Sequence, residues 1–519
     1  MFQPKQWKGR KLRVWILIVC GLAFSLFGYD CALYGGIASG PPFVEYFHHP
    51  SPGLTGQVAA LFDIGNLVGA LCTPFIAERI GHRKSILIGS AICVIGAIIQ
   101  TTPGSIGGLI AGRMIGGFGN GINTSVVPVY HSETSLPHAR GRAIFQELFI
   151  LNVGFLVAQF LTLGTSFSQT SLQWRLPSIF QVVYLLPVFI LLPLLPESPR
   201  WLASKDRMGE AATVLARLTG QEDISSPEVR QQLEDIQTVV ALEKAGEATP
   251  ISDLWTAPGR HMYRLIIGCG AQYMGQIGGC NVFAYYIVII FEQLGFSSTP
   301  ARVLAACTGV PWLLSNLFSQ FAVERFGRRP LFFSGSIGQG LCFLIAGIVL
   351  AIGGNPSEGT AKWSGYIVVV LVYLYLMIFA LAWQSLQYLY PAEILSFKYR
   401  NKFYPVANAV NWTINYVVVV STPPGLANIG WKFYMVFFCF NFVNFWLVFL
   451  FYPETAHKSL EEIDLLFLSA KSATSRLFPG LASGKKGAFT VDDIDRVGFE
   501  AEMKQHRTKD QATIHVEES

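Results

Sequence analysis

Long apolar runs alternate with short polar gaps along nearly the whole chain, and this pattern predicts membrane-spanning helices. Residues 14–36, 85–102, 106–129, 176–195, 331–353 and 431–452 are each long enough to cross ~30 Å of hydrocarbon at ~1.5 Å per residue. Further runs near 55–77, 142–164, 262–291, 301–323, 365–393 and 403–424 bring the total to about twelve, six in each half. Runs of this length are read as helices, because each backbone amide must be satisfied within its own segment. The pattern changes at residues 200–260, which are charged and helix-prone. Ser226-Pro227 followed by Glu228 reads as a helix start there. Beyond about residue 470 the chain is polar, and its end is expected to be disordered.

The polar gaps repeat. Glu78-Arg79-Ile80-Gly81-His82-Arg83 returns as Glu324-Arg325-Phe326-Gly327-Arg328-Arg329, and Gly89-Ser90 as Gly335-Ser336. Glu133 with Arg140 matches Glu393 with Arg400 at the same internal spacing. Pro196-Glu197-Ser198 matches Pro453-Glu454-Thr455. Each second copy lies about 250 residues after the first, roughly half the chain. The expected fold is an all-α membrane protein of twelve transmembrane helices in two pseudo-symmetric six-helix bundles, joined by short cytosolic linker helices. The boundaries read as a cytosolic N-terminus at 1–13, bundles at 14–195 and 261–452, linker helices at 196–260 and a cytosolic tail at 453–519. Two similar halves in a membrane chain signal a carrier that rocks one half against the other around a central site.

Composition sharpens this picture. The chain is 51% hydrophobic and only 14% charged, against about 25% charge in a soluble domain. Basic residues cluster at the N-terminus (Lys5, Lys8, Arg10, Lys11, Arg13) and in alternate gaps, at Arg79/Arg83/Lys84, Arg140/Arg142, Arg325/Arg328/Arg329 and Lys398/Arg400/Lys402. The gaps 37–54 and 165–173 contain no Lys or Arg. The positive-inside rule therefore puts both termini in the cytosol. Basic residues scattered over loops argue against a nucleic-acid surface. The nine cysteines fall almost entirely inside apolar runs, without a Cys-x-x-Cys pair, and read as packing residues. The first run lacks a small-residue cleavage site and reads as a retained helix. Five glycines crowd the fourth run (Gly112, Gly116, Gly117, Gly119, Gly121), where small residues allow close helix approach. No phosphate loop, metal-ligand cluster or Ser/His/Asp arrangement stands out, so neither an enzyme nor a cofactor is expected.

Together with Gly112-Arg113, Pro196-Glu197-Ser198-Pro199-Arg200, Gln276-Ile277-Gly278-Gly279-Cys280-Asn281, Tyr285-Tyr286 and Pro453-Glu454-Thr455, the paired motifs resemble the sugar porter family of the major facilitator superfamily, over roughly 14–464. Tyr390-Pro391-Ala392-Glu393-Ile394-Leu395 and Asn428-Ile429-Gly430-Trp431-Lys432 look most like its fungal branch of lactose-permease-like and hexose members.

Asp30 lies inside the first span, where an unpaired charge costs about 2.5–3.5 kcal/mol on insertion scales. Arg113 is its expected partner. Asp30 sits ~9 Å below the outer end of its run and Arg113 ~10 Å below the same surface. In the family, proton-coupled members carry an acid at the position of Asp30, so the resemblance implies that Asp30 accepts the proton and Arg113 tunes it. Without that role, the pair only orders two helices. Glu147 stands where the wider family has a sugar-contacting Gln. It reads as a hydroxyl acceptor, a second titrating group, a mark of a different substrate, or a cytosol-facing carboxylate paired to a loop arginine. Asp63 reads as a hydrated or amide-bonded structural residue.

A sugar site needs amides, which both donate and accept, and an aromatic platform. Gln276, Asn281, Asn411 and Asn415 supply amides, and Trp412 and Tyr285 supply rings. The resemblance matches Gln276, Asn281, Asn411 and Trp412 to sugar-contacting positions. Helix 7 is expected to break at Gly278-Gly279. Against the family pattern, Gly275 replaces a glutamine, Trp312 an asparagine, Tyr388 a tryptophan, and Gln384-Ser385 a Gly-Pro. Such changes reshape the pocket: the substrate expected is sugar-like, with a disaccharide, pentose, polyol or quinate-like acid open beside simple glucose. Glu78, Arg83, Glu133, Arg140, Glu197, Arg200, Glu324, Arg329, Glu393, Arg400 and Glu454 sit at inner helix ends and are expected to pair across the halves when the inner mouth shuts.

The function expected is a proton-coupled symporter importing a mono- or disaccharide by alternating access. The alternatives are a facilitative sugar, quinate or polyol uniporter, and a non-transporting sugar sensor. The expected partners are a sugar, protons and membrane lipid. A monomer in the plasma membrane is expected.

Overall fold

A computed structural model describes residues 7–136, 140–221, 223–247, 260–353, 363–395 and 400–456, with Ile463 and Phe467. The described chain is helical throughout. The first half contains α1 (Gly9–Ile37), α2 (Pro41–Tyr46), α3 (Pro52–Ile80), α4 (His82–Thr101), α5 (Ile106–Thr134), α6 (Arg140–Thr165) and α7 (Leu172–Leu191). Three linker helices follow: α8 (Pro199–Ser204), α9 (Met208–Thr219) and α10 (Pro227–Glu247). The second half contains α11 (His261–Ile277), α12 (Cys280–Gln293), α13 (Ser298–Phe326), α14 (Arg328–Gly353), α15 (Trp363–Ile378), α16 (Gln384–Ile394), α17 (Arg400–Ile429) and α18 (Lys432–Phe451). Helices α11 and α12 together make one crossing, as do α15 and α16.

Ten crossings among the described residues are long and apolar enough to span a membrane by composition. Helices α5 and α17 have the length, at 29 and 30 residues, but they are richer in polar side chains. Those side chains are buried in protein rather than exposed to lipid: Arg113, Asn120 and Asn123 on α5, Asn411 and Asn415 on α17. Elsewhere the lipid-facing surface carries large apolar side chains such as Phe75, Ile190, Phe321 and Val370. This all-α fold of two six-helix halves with linker helices matches the expectation. Two local features were not foreseen: the short helix α2 in the first outer gap, and a π turn at Phe379–Trp383 within the tenth crossing.

Helix ends follow from local chemistry. Ser51 and Ser105 cap α3 and α5 by accepting from Leu54 N at 3.3 Å and Gly108 N at 3.2 Å. The seventh crossing breaks between α11 and α12 at Gly278 and Gly279, the latter with φ +99°, which only glycine adopts without strain. The break frees a carbonyl inside the bundle, and side chains take it up. Tyr375 Oη and Asn441 Nδ2 each donate to the freed Gly278 O at 2.9 Å, while Met274 O keeps its bond from Gly278 N at 3.1 Å and also accepts from Asn444 Nδ2 at 3.2 Å.

The internal repeat is visible in atomic detail. Gly81 (φ 91°) and Gly327 (φ 87°) end α3 and α13 in matching conformations. The next two amides in each copy point at one carboxylate. His82 N and Arg83 N donate to Glu197 at 3.2 and 3.3 Å, while Arg328 N and Arg329 N donate to Glu454 at 3.0 Å each. Arg83 Nη2 donates to Pro193 O at 2.7 Å and Arg329 Nη2 to Phe449 O at 2.9 Å. Glu454 thus neutralises the positive N-terminal end of α14. Glu454→Ala is expected to remove ~1–3 kcal/mol of stability. The check is the melting midpoint of the purified protein in detergent, and an unshifted midpoint contradicts the capping role.

Candidate functional site

The first and fourth crossings bring two opposite charges together inside the protein. Arg113 Nη1 lies 3.4 Å from Asp30 Oδ1, with side chains 0% and 3% exposed. Arg113 is held by more than this contact. Its guanidinium lies 4.8 Å from the Tyr34 ring centre and 4.3 Å from that of Phe62, and its Nη2 donates to Ala59 O at 3.4 Å. The arginine therefore keeps a binding place even when the acid opposite is neutral.

One helical position along from Phe62 lies Asp63, fully buried. Its Oδ1 accepts from Tyr285 Oη at 3.2 Å and Asn415 Nδ2 at 3.3 Å, both from the other half. Of the two readings of Asp63, the described contacts are with an amide and a phenol. Sequence reasoning did not find that these contacts cross the halves, because nothing in residue order brings position 63 to positions 285 and 415. Cys31, beside Asp30, also contacts Tyr285 Oη at 3.5 Å. The Asp30–Arg113 pair and the Asp63–Tyr285–Asn415 cluster are thus separate polar groups, joined through the packing of Phe62, the neighbour of Asp63, under the Arg113 guanidinium.

The amides of the second half gather at the broken helix. Gln276 Nε2 donates to Gln387 Oε1 at 3.2 Å, and Asn281 Nδ2 donates to Gln276 Oε1. Asn411 Nδ2 donates to Gln272 Oε1 at 2.6 Å, and the Tyr388 hydroxyl is within reach of Asn411. Trp412 meets Phe27 of the first half edge to face, ring centres 5.1 Å apart. Trp412 Nε1, Asn415 Oδ1 and Gln272 Nε2 are buried without a partner, as in a site that a ligand completes. Gln387 and Gln272 are additions to the sequence reading. The signal for Gln387 was Gly275, since a Cβ there would strike the Gln387 carboxamide. An amide absent from α11 is supplied by the facing α16.

Glu147 does not pair with a loop arginine among the described residues. Its Oε1 lies 3.0 Å from His131 Nδ1, and the two residues are 2% and 5% exposed. His131 carried no sequence signal, because it is distant in the chain and lies at the inner end of α5.

Pairing of the cytosolic charges across the halves is the expectation for a shut inner mouth; the contacts present here lie within each half. Among the described residues, Glu133, Glu197 and Glu393 contact only their own half. Glu133 accepts from Ser198 Oγ at 2.5 Å and lies 3.8 Å from both His82 and Arg200. Glu393 binds Arg328 at 2.6 Å and accepts from Thr455 Oγ1 at 2.6 Å. Glu324 accepts from Gln320 at 3.2 Å, and the Glu78 carbonyl accepts from Trp201 Nε1 at 3.0 Å. Groups of the same half satisfy these carboxylates: backbone amides at the start of α4 for Glu197, and a hydroxyl with a basic side chain for Glu133 and Glu393. The side chains of Arg140 and Arg400 lie outside the described residues. Contacts between halves lie instead in the middle and toward the outer ends. Arg302 donates to Gly36 O and, at 3.0 Å, to Ser39 Oγ, and Tyr416 Oη donates to Gln57 Oε1 at 3.4 Å.

Buried polar side chains gathered between two six-helix halves, with a helix broken among them, define an integral, multi-pass membrane carrier. The chain belongs to the sugar porter family of the major facilitator superfamily: the family model described as Sugar (and other) transporter matches residues 15–467. It is 36% identical over 468 residues to the MFS-type transporter oryC of Aspergillus oryzae, covering 89% of this chain and 86% of that protein. It is 32% identical over 478 residues to the Sugar transporter STL1 of Saccharomyces cerevisiae, covering 89% and 82%. Among solved structures, the proton:xylose symporter XylE bound to 6-bromo-6-deoxy-D-glucose superposes with a TM-score of 0.73 at 23% identity, covering 88% of this chain and 99% of that one. At that identity the likeness concerns the fold. The chain is a transporter, as its relatives are, and not an enzyme.

Proposed function

We propose that this carrier is a proton-coupled symporter that imports a mono- or disaccharide by alternating access, with Asp30 as the proton acceptor and Arg113 as its partner. The observation that carries the reading is the buried Asp30–Arg113 pair, 3.4 Å apart, with the guanidinium packed on Phe62, whose neighbour Asp63 bonds to Tyr285 and Asn415 of the second half. A nearby guanidinium favours the ionised acid, and protonation removes that attraction. Arg113 then rests on Tyr34 and Phe62 while α1 is released to move over bound substrate. Loss of the proton on the cytosolic side re-forms the pair. The membrane potential adds about 2.3 kcal/mol per charge per 100 mV to the driving force.

Gln276, Asn281, Asn411, Asn415, Tyr285, Tyr388 and Trp412 form the substrate-binding surface in this reading, with Glu147 at its inner edge. Their supporting features are the mixed donors and acceptors, the unpartnered buried atoms and the two rings at Trp412 and Phe27. Two relatives are named as glucose transporters, those of Kluyveromyces lactis and Aspergillus flavus, at 32% and 33% identity. The gap charges support both termini in the cytosol; in this reading the carrier works as a monomer in the plasma membrane.

The test is uptake of radiolabelled hexoses, pentoses, disaccharides and quinate in a transport-deficient host, with external pH varied. Accumulation is expected to rise as external pH falls and to collapse to equilibrium when a protonophore is added. Uptake insensitive to both treatments identifies a uniporter, and binding without uptake identifies a sensor.

A further inference from the structure

Gln384 opens α16 directly after the π turn and reaches both the fifth and the eighth crossings. Its Nε2 donates to Asn152 Oδ1 at 2.9 Å, and its Oε1 accepts from Asn152 Nδ2 at 3.3 Å. The two carboxamides, one from each half, therefore meet edge to edge in a reciprocal pair. Trp312 Nε1 and Asn316 Nδ2 also donate to Gln384 Oε1, at 2.9 and 3.4 Å. Three donors on one carbonyl oxygen exceed its two lone pairs, so the set is over-supplied with N–H groups. Asn316 Oδ1, by contrast, is buried without a partner. Asn152, Asn316 and Gln384 are 1%, 2% and 4% exposed. Phe155 packs edge-on against Trp312 with ring centres 4.7 Å apart, closing the apolar side.

We propose that Asn152 and Gln384 form a diol-binding subsite that closes on itself when empty. A vicinal diol presents one O–H donor beside one oxygen acceptor, the complement of a carboxamide edge. Entering between the halves, it exchanges one amide–amide pair for two amide–diol pairs, one to each half. Asn316 Oδ1 takes a further hydroxyl proton, and the surplus N–H groups on Gln384 find a hydroxyl oxygen. The Trp312 ring supplies a face for C–H groups. None of the four side chains carries a charge, so the subsite selects an uncharged polyhydroxyl compound. This inference rests on the sugar reading and adds Asn152, Trp312, Asn316 and Gln384 to its site.

The test uses the full chain in a transport-deficient host. D-glucose and D-xylose are the labelled probes, and the monodeoxy-D-glucoses are competitors. In the parent protein, two analogues lacking hydroxyls on adjacent carbons are expected to compete ~5–10-fold more weakly than D-glucose. Gln384→Leu and Asn152→Leu are expected to compress that ratio to within ~2-fold. The ratio is taken within each variant, so expression level cancels. Should the leucine variants not reach the membrane, Gln384→Glu and Asn152→Ser carry the same comparison with smaller changes in shape. Uptake with discrimination intact in the variants overturns the subsite alone. A parent protein that takes up no sugar overturns the sugar reading, and this inference with it.

Discussion

Asp30→Asn is expected to abolish accumulation against a gradient while leaving downhill movement of substrate measurable. Asparagine has the shape of the protonated acid and cannot give up a proton, so the variant is held in one arm of the cycle. A membrane potential of 100 mV acting on one co-transported charge supports an accumulation of about fifty-fold, and that ratio should fall to one. Removing one partner of a buried ion pair ordinarily costs about 3–5 kcal/mol, because the other charge is stranded. Arg113 is partly spared this cost by the Tyr34 and Phe62 rings and the Ala59 carbonyl. The variant should therefore reach the membrane. Counterflow of labelled against unlabelled substrate in vesicles separates loss of coupling from loss of folding. Full concentrative uptake by Asp30→Asn removes Asp30 from the coupling step.

Gly117→Leu is expected to prevent assembly of the first half. At Gly117 the backbones of α5 and α3 touch, and any Cβ would collide with the Phe62 carbonyl oxygen. The obstacle is backbone, which has no alternative rotamer. Overpacking of this kind costs ~1–3 kcal/mol in an adaptable core and more in a rigid one. Phe62 is also the residue whose ring lies under Arg113, so forcing the helices apart displaces the guanidinium from Asp30. Size-exclusion chromatography of a fluorescent fusion should show aggregate in place of a monodisperse peak. A monodisperse peak with intact uptake would show that α3 and α5 separate freely. Gly107, at the start of the same helix, meets only the nearby Ser105 side chain and should accept alanine without effect.

These two residues differ in how far residue order alone could reveal them. The glycine-rich stretch of the fourth run announced close packing, but not which glycine faces which helix. The structure divides them: Gly117 and Gly121 meet α3, while Gly112 and Gly119 meet α4. The Asp30–Arg113 contact could be anticipated because a membrane supplies a ruler. Helices of known rise starting from a known surface fix depth, and two opposite charges at equal depth have few other partners. The same ruler says nothing of rotation about the helix axis. For that reason Asp63, Gln384 and Asn152 were not recognised as bridges between halves, and Glu147 was not joined to His131.

The chain's own order of residues determined that this is a two-half helical membrane carrier, because hydrocarbon forces long apolar helices and a duplicated motif leaves its copies in the loops. It also determined the helix break at Gly278-Gly279, since that depends on local backbone freedom. Tertiary structure alone decided which carboxylates cap their own half and which amides meet across the centre. Those choices depend on which faces of separate helices turn toward one another, and that is settled by packing among helices far apart in the chain.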